Sequence, residues 1–314
     1  MKKPLVILTG PTAVGKTELS IALAKAINGE IISADSMQVY KQMDIGSAKI
    51  KKEEMDGVKH YLIDEFEPDE EFNVVRFQEY AKRYMNEIYE KGKVPILVGG
   101  TGFYIQAVLY DIDFTENKED FTYRKELEEV AKTKGAQYLH DELAKVDLEA
   151  SKQIHANNVK RVIRALEFFY QTGQKISEHN EEQKKKESPY DFVYFVLNDE
   201  RDVLYERINL RIDRMLEEGL LKEVRELKKK GYTKDMVSMQ GLGYKEILSY
   251  LDDEITLEEA IYILKRDTRH FAKRQITWFK RESDVTWLHL PDYGHDRQKV
   301  LEEMIKKVGT IYEF

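Results

Sequence analysis

The 314-residue chain contains no cysteine, which removes thiolate nucleophiles, Cys-ligated zinc and iron–sulfur clusters from the chemistry open to it. It also lacks any apolar run approaching the ~20 residues of a membrane span. The apolar stretch 5–8 after Met1-Lys2-Lys3 is cut off by Gly10-Pro11, too soon for the core of a signal peptide. A cytoplasmic location with no membrane partner is expected. Absent too are an Asn-Lys-x-Asp base-reading motif, an Asp-x-x-Gly after a strand and the protein-kinase motifs, which disfavours a GTPase or a protein kinase. Positive charge is in deficit, with 50 Lys+Arg against 58 Asp+Glu and a net charge of −8. Over the whole chain that balance argues against a nucleic-acid partner. What is present is globular: 42% hydrophobic and 34% charged residues exclude disordered, collagenous and disulfide-scaffold classes, and the length allows about two domains.

Residues 5–9 form a short branched apolar run that ends at Gly10, the pattern of a buried parallel strand. Leu19, Ala22, Leu23, Ala26 and Ile27 then recur at helical spacing before Asn28-Gly29. Further strands are expected at 31–32, 94–98, 192–197 and 287–290. Helices are expected at 72–89, with Val75, Tyr80, Tyr84 and Ile88 along one side, and at 103–109. This alternation predicts an α/β fold with a parallel sheet. From about 111 to 189 the pattern is helical only, for instance 123–134 and 159–170. The expected architecture is therefore a P-loop NTPase-like core (1–112 and 190–314) interrupted by an all-helical insertion (113–189). Long amphipathic helices follow at 203–229, broken at Gly219, and at 257–281.

The strongest motif is Gly10-Pro11-Thr12-Ala13-Val14-Gly15-Lys16-Thr17, a G-x-x-x-x-G-K-T match between a predicted strand and a predicted helix. Its glycines let backbone N–H groups wrap anionic oxygens, Lys16 reaches terminal phosphates, and the Thr17 hydroxyl suits Mg²⁺. Such a loop is a phosphate or pyrophosphate cradle; it does not by itself specify ATP. Asp35 ends the second strand, at the sheet edge where open α/β folds bind ligands. There it serves either as a base or metal-bound carboxylate, or as a turn or helix-capping aspartate. Gly99-Gly100-Thr101-Gly102 makes a similar turn after the third strand, with Thr101 as a site residue or an N-cap.

Local charge differs from the global sum. Residues 265–281 hold seven Lys/Arg and one acid, Asp267, directly after the acidic stretch 252–259. Arg266, Lys273 and Lys280 repeat every seven residues, roughly 200° round the helix from a Leu264, Phe271 and Trp278 stripe. Lys160, Arg161 and Arg164 form a second cluster. Arg207, Arg211 and Arg214, at helical spacing, form a third together with Arg201. Each cluster is either a solvated face or a phosphate-contacting one.

Several longer strings recur in order along nearly the whole chain. They are Asp35-Ser-Met-Gln-Val-Tyr40, Asp44-Ile-Gly-Ser-Ala-Lys49, His60-Tyr-Leu-Ile-Asp64, Gly99-Gly-Thr-Gly-Phe-Tyr104, Arg161-Val-Ile-Arg-Ala-Leu-Glu167, Thr172-Gly-Gln-Lys-Ile-Ser177, Arg207-Ile-Asn-Leu-Arg-Ile-Asp-Arg-Met215, Gly243-Tyr-Lys-Glu246 and Lys273-Arg-Gln-Ile-Thr-Trp278. With the P-loop they resemble the bacterial tRNA dimethylallyltransferases, also called tRNA isopentenyltransferases. The departures are few: Ser47 stands where Thr is common, Tyr61 where a second His is common, and Asn158 and Lys160 replace a frequent Asp and a Gln or Arg.

The resemblance implies transfer of a dimethylallyl group from its diphosphate to N6 of the adenosine just 3′ of the anticodon, by a monomer acting on the tRNA anticodon stem-loop. With it, Asp35 is expected as general base and Thr101 as an orienting group, beside residues 10–17 and Mg²⁺ at Thr17, and from its helical spacing Arg211 is added as a diphosphate contact. The resemblance places Asp35, Ser36, Met37, Gln38, Thr101, Arg124, Lys160, Arg161, Val162, Ile163 and Arg164 on the tRNA. The periodic basic strip adds Lys273, Arg274 and Lys280. A P-loop kinase of small metabolites would share the cradle and the base, and a nucleotide-gated RNA-binding protein would share the basic surfaces without the turnover.

Overall fold

A computed structural model of the chain describes residues 2–114 and 122–312. Residues 115–121 of the expected insertion lie outside these described residues. The chain divides into two compact units, one of residues 1–109 and 189–314 and the other of residues 110–188.

The first unit is built on six parallel strands: β1 (Lys3–Thr9), β2 (Gly29–Ser33), β3 (His60–Tyr61), β4 (Val94–Gly99), β5 (Tyr190–Asn198) and β6 (Val285–His289). Their order across the sheet is β3-β2-β4-β1-β5-β6, every pairing parallel. The central strands are apolar throughout because both faces are covered, so they show no polar alternation. Val6, Leu8, Ile31, Ile96 and Phe195 pack into one core cluster with α1 (Lys16–Ala26), through Leu19 and Leu23, with Ile27 just after it, and with α13 (Arg297–Val308), through Val300 and Met304. Leu5, Ile7 and Ile32, equally buried, alternate to the other face. There α2 (Val74–Glu90) packs on β2, β4 and α3 (Gly102–Leu109). Asn73 caps α2 by accepting from the N–H groups of Val75 and Arg76. The buried side of α2 is Val74, Phe77, Ala81, Met85 and Ile88, while Val75 is exposed, so the expected Val75–Tyr80–Tyr84 side is displaced from the true core face by about one position.

The two-residue β3 had no counterpart among the expected strands. It is held as an edge by Tyr61, whose hydroxyl donates to buried Glu30 (2.7 Å), a carboxylate that also receives Lys91 and Lys93. After β5 the chain continues through α9 (Arg201–Glu218), α10 (Leu220–Lys229), α11 (Tyr244–Leu251) and α12 (Leu257–Phe279). Gly219, at φ +107°, separates α9 from α10 where a single long helix with a break was expected. The buried face of α12 is Ala260, Leu264, Ala272, Gln275 and Phe279. Phe271 and Trp278 are only half-buried, which corrects the expected Leu264–Phe271–Trp278 stripe.

The second unit is helical in its described residues: α4 (Thr122–Lys134), α5 (Ala136–Val146), α6 (Leu148–Gln153), α7 (Val159–Thr172) and α8 (Ile176–Lys184). Leu127, Leu139, Leu143, Val162, Ile163 and Leu166 form its own core.

Candidate active site

Strand order assembles the site. Because β2, β4 and β1 are successive neighbours, the segments leaving their carboxyl ends lie side by side: Asp35 after β2, Gly100-Thr101 after β4 and the loop 10–17 after β1. Short contacts fix them together. Thr9 Oγ1 donates to Gly99 O (2.7 Å), and the Thr101 N–H donates to Ala34 O (3.3 Å). A Cβ on Gly99 would lie 2.1 Å from Ala34 O, so only glycine allows the two strand ends to approach this closely. Gly10 combines φ +145° with a would-be Cβ 2.5 Å from Leu197 O at the end of β5.

Gly15 opens α1 in a left-handed conformation, leaving the first-turn N–H groups of the helix directed at the loop's concavity. Lys16 Nζ donates to the carbonyls of Gly10 (2.9 Å) and Pro11 (2.8 Å), folding over the cradle it would share with an anion. Burial, reinforced by the positive charge of Arg211, lowers its ammonium pKa to about 7, with Asp35 pulling the other way. From α9, Arg211 extends Nη1 to Thr12 Oγ1 (3.4 Å), and its own pKa is lowered by burial and by Arg214. The expected arginine face divides here. Arg207 does not join the cradle; it pairs with buried Asp199 (2.7 Å), which also meets His295 (3.0 Å). Arg297 of α13, absent from the sequence reading, lies beside Gly15 and pairs with Glu18.

Asp35 makes the capping contacts of one of its two expected roles. Its Oδ1 accepts from the N–H groups of Met37 (2.8 Å) and Gln38 (3.3 Å), a capping role, while Oδ2 has no hydrogen-bond partner among the described residues. Burial raises its pKa, against the pull of those two N–H groups and of Lys16. Thr101 precedes α3, where its carbonyl accepts from Tyr104 N (3.0 Å); its hydroxyl has no hydrogen-bond partner among the described residues. Ser36, Met37 and Gln38 are half-buried on the same segment, with Gln38 Nε2 donating to Ala48 O (3.3 Å). Thr17 is exposed, and no group of three or more His, Asp or Glu side chains suited to a metal exists among the described residues. A single hydroxyl beside a phosphate cradle suits Mg²⁺, which keeps several waters and takes its remaining oxygens from the phosphates.

The structure also sorts the expected tRNA contacts. Val162 and Ile163 are core residues of the helical unit, 0% and 4% exposed, so their side chains are not available to RNA. Lys160, Arg161 and Arg164 on the same helix are exposed. Arg124 directs two N–H groups at buried Glu167 (3.2 and 2.6 Å), an ion pair inside the helical unit. On α12, Lys265 pairs with Asp213 and Arg266 with Asp267, while Arg269 donates to Asn209. Lys273, Arg274, Lys280 and Arg281 make no ion pair among the described residues. Three of these four, with His270, Thr277 and Trp278, line an open groove of about 460 Å³.

A parallel sheet whose first strand runs through a G-x-x-x-x-G-K-T loop into a helix, with a carboxylate and a hydroxyl on adjoining strand ends, has the P-loop type of α/β architecture. Comparison with known proteins identifies which kind. The IPP transferase family model matches residues 38–282, and the chain belongs to that family. It is 67% identical over 304 residues to the tRNA dimethylallyltransferase of Lachnoclostridium phytofermentans, covering 97% of each chain. Its fold is similar to that of the crystal structure of the tRNA isopentenylpyrophosphate transferase from Bacillus halodurans (TM-score 0.74, 47% identity, 99% of this chain and 98% of that one). It is also similar to a eukaryotic dimethylallyltransferase acting on tRNA (TM-score 0.80, 32% identity, 91% of this chain and 74% of that one).

Proposed function

We propose that this chain transfers a dimethylallyl group from dimethylallyl diphosphate to N6 of the adenosine 3′-adjacent to the anticodon in tRNA. The observation that carries this reading is the juxtaposition, on one sheet edge of an IPP transferase family member, of a diphosphate cradle with a half-buried carboxylate that keeps one oxygen open.

The exocyclic amine of adenine is a weak nucleophile, so the reaction needs help at the leaving group and at the proton. As the allylic C–O bond breaks and the N6–C bond forms, negative charge grows on the diphosphate. The first-turn N–H groups of α1, Lys16 and Arg211 meet it there. Mg²⁺ held at Thr17 would add charge neutralisation of the leaving group. The proton lost from N6 passes to Asp35 Oδ2. Burial favours that uptake, and a diphosphate that satisfies Lys16 removes part of the field holding Asp35 ionised. The Thr101 hydroxyl, adjacent through the Ala34 contact, orients the amine. The adenine reaches these groups only when unstacked from its loop. The surrounding RNA is held by Ser36, Met37 and Gln38 and by phosphate contacts from Lys160, Arg161, Arg164, Lys273, Arg274 and Lys280.

Incubation with labelled dimethylallyl diphosphate and unmodified tRNA is expected to place label in the tRNA. Asp35→Ala should lower turnover by about 10²–10⁴-fold with tRNA binding retained. Phosphoryl transfer from labelled ATP to a small metabolite, with no prenyl incorporation, would overturn the reading in favour of a kinase.

A further inference from the structure

One buried polar side chain joins the two halves of this site. Gln275 lies on the core face of α12 between Ala272 and Phe279, 6% exposed. Its Oε1 accepts from the Thr12 N–H in the P-loop (2.8 Å), and its Nε2 donates to Gly100 O in the turn that carries Thr101 (3.0 Å). The amide orientation is fixed by chemistry, since reversing it would set two donors against each other and two acceptors against each other. The fit is close enough that a Cβ on Gly100 would come within 2.1 Å of Nε2. Thr12, whose N–H is thereby engaged by Gln275, accepts from Arg211 Nη1 at its Oγ1.

We propose that Gln275 is a positioning residue that sets the distance between the diphosphate cradle and the Thr101 turn, and through Thr12 the placement of Arg211. The inference rests on the prenyl-transfer reading for its kinetic consequence, but its geometry does not. Reaction between an anchored donor and an incoming amine requires the reacting atoms to be within about 3–3.5 Å, so loosening the tie between their two supports lowers turnover more than substrate binding.

Three variants test this. Gln275→Met keeps the volume and deletes both bonds. It is expected to lower kcat by about 10–100-fold while the KM for tRNA changes little, and to weaken binding of inorganic pyrophosphate measured by calorimetry. Gln275→Glu keeps the acceptor for Thr12 but sets a carboxylate against Gly100 O. Its activity relative to wild type should rise as pH falls and the carboxyl gains a proton to donate. Gln275→Ala deletes the same bonds and the volume as well, so the difference between its melting temperature and that of Gln275→Met reports the packing contribution. A Gln275→Met enzyme with wild-type kcat and pyrophosphate affinity would overturn the proposal, as would a Gln275→Glu to wild-type ratio that is flat with pH. Absence of prenyl transfer in the wild type would fail the functional reading instead, and pyrophosphate binding would still decide the role of Gln275.

Discussion

Lys16 illustrates how much of a site residue is set by its surroundings. The motif identifies it as a phosphate ligand, but only the fold shows burial and Arg211 together bringing its pKa from the usual lysine value to about 7. On the proposed function, a bound diphosphate would reverse that shift by supplying the missing counter-charge. Above pH 7 the free protein therefore holds much of Lys16 neutral, and binding must take up a proton, so affinity falls as pH rises through and beyond 7. Calorimetric titration of pyrophosphate at pH 8, in buffers of different ionisation enthalpy, should show this uptake. Lys16→Arg, whose guanidinium stays charged, should still bind but lose the protein's share of the uptake. Equal proton uptake by the two proteins would exclude Lys16 as its source. Asp35, Thr101 and the P-loop were legible because each ends an apolar strand at the same sheet edge. Gln275 and Glu167 were not: each reads as an ordinary polar residue in a helix until the structure shows it buried with its partners.

At the scale of elements, the strands were the most legible because a strand buried on both faces is an unbroken apolar run. Helix faces were less so. On α2 and α12, aromatic residues at helical spacing border the core without filling it, and small residues such as Ala81 and Ala272 mark the face instead. On α7, a basic string that includes two apolar residues places the two kinds of side chain on opposite sides of one helix. Val162 and Ile163 pack into the helical core, and Lys160, Arg161 and Arg164 face solvent. Ile163→Ala should cost about 2–5 kcal/mol of stability in the helical unit, seen as earlier loss of helical signal on heating, with tRNA affinity unchanged while folded. Arg161→Ala should do the reverse, leaving the melt in place and weakening tRNA binding. Equal losses of affinity in both variants would show that the two sides of α7 are not separable in this way.

At the scale of the whole molecule, the net charge of −8 is a poor guide to partners because acids and bases are segregated and unequally paired. The acidic stretch after α11 is partly neutralised from within: Asp252 receives Lys228 and Lys234, and Glu254 receives Lys234. The first half of the α12 basic run is likewise engaged through Lys265, Arg266 and Arg269. Lys273, Arg274, Lys280 and Arg281 make no ion pair among the described residues, and all but Lys280 line a groove together with Trp278. If these residues neutralise RNA phosphates, each contact releases condensed counterions and adds about 0.7–0.9 to the slope of log affinity against log salt. Lys273→Ala combined with Lys280→Ala should therefore weaken tRNA binding and reduce the magnitude of that slope by roughly 1.4–1.8. Lys265→Ala, which removes a cation already paired with Asp213, should leave the slope unchanged. Binding measured from low to moderate salt separates the two outcomes, and a double variant with the wild-type slope would return this half of α12 to the role of a solvated face.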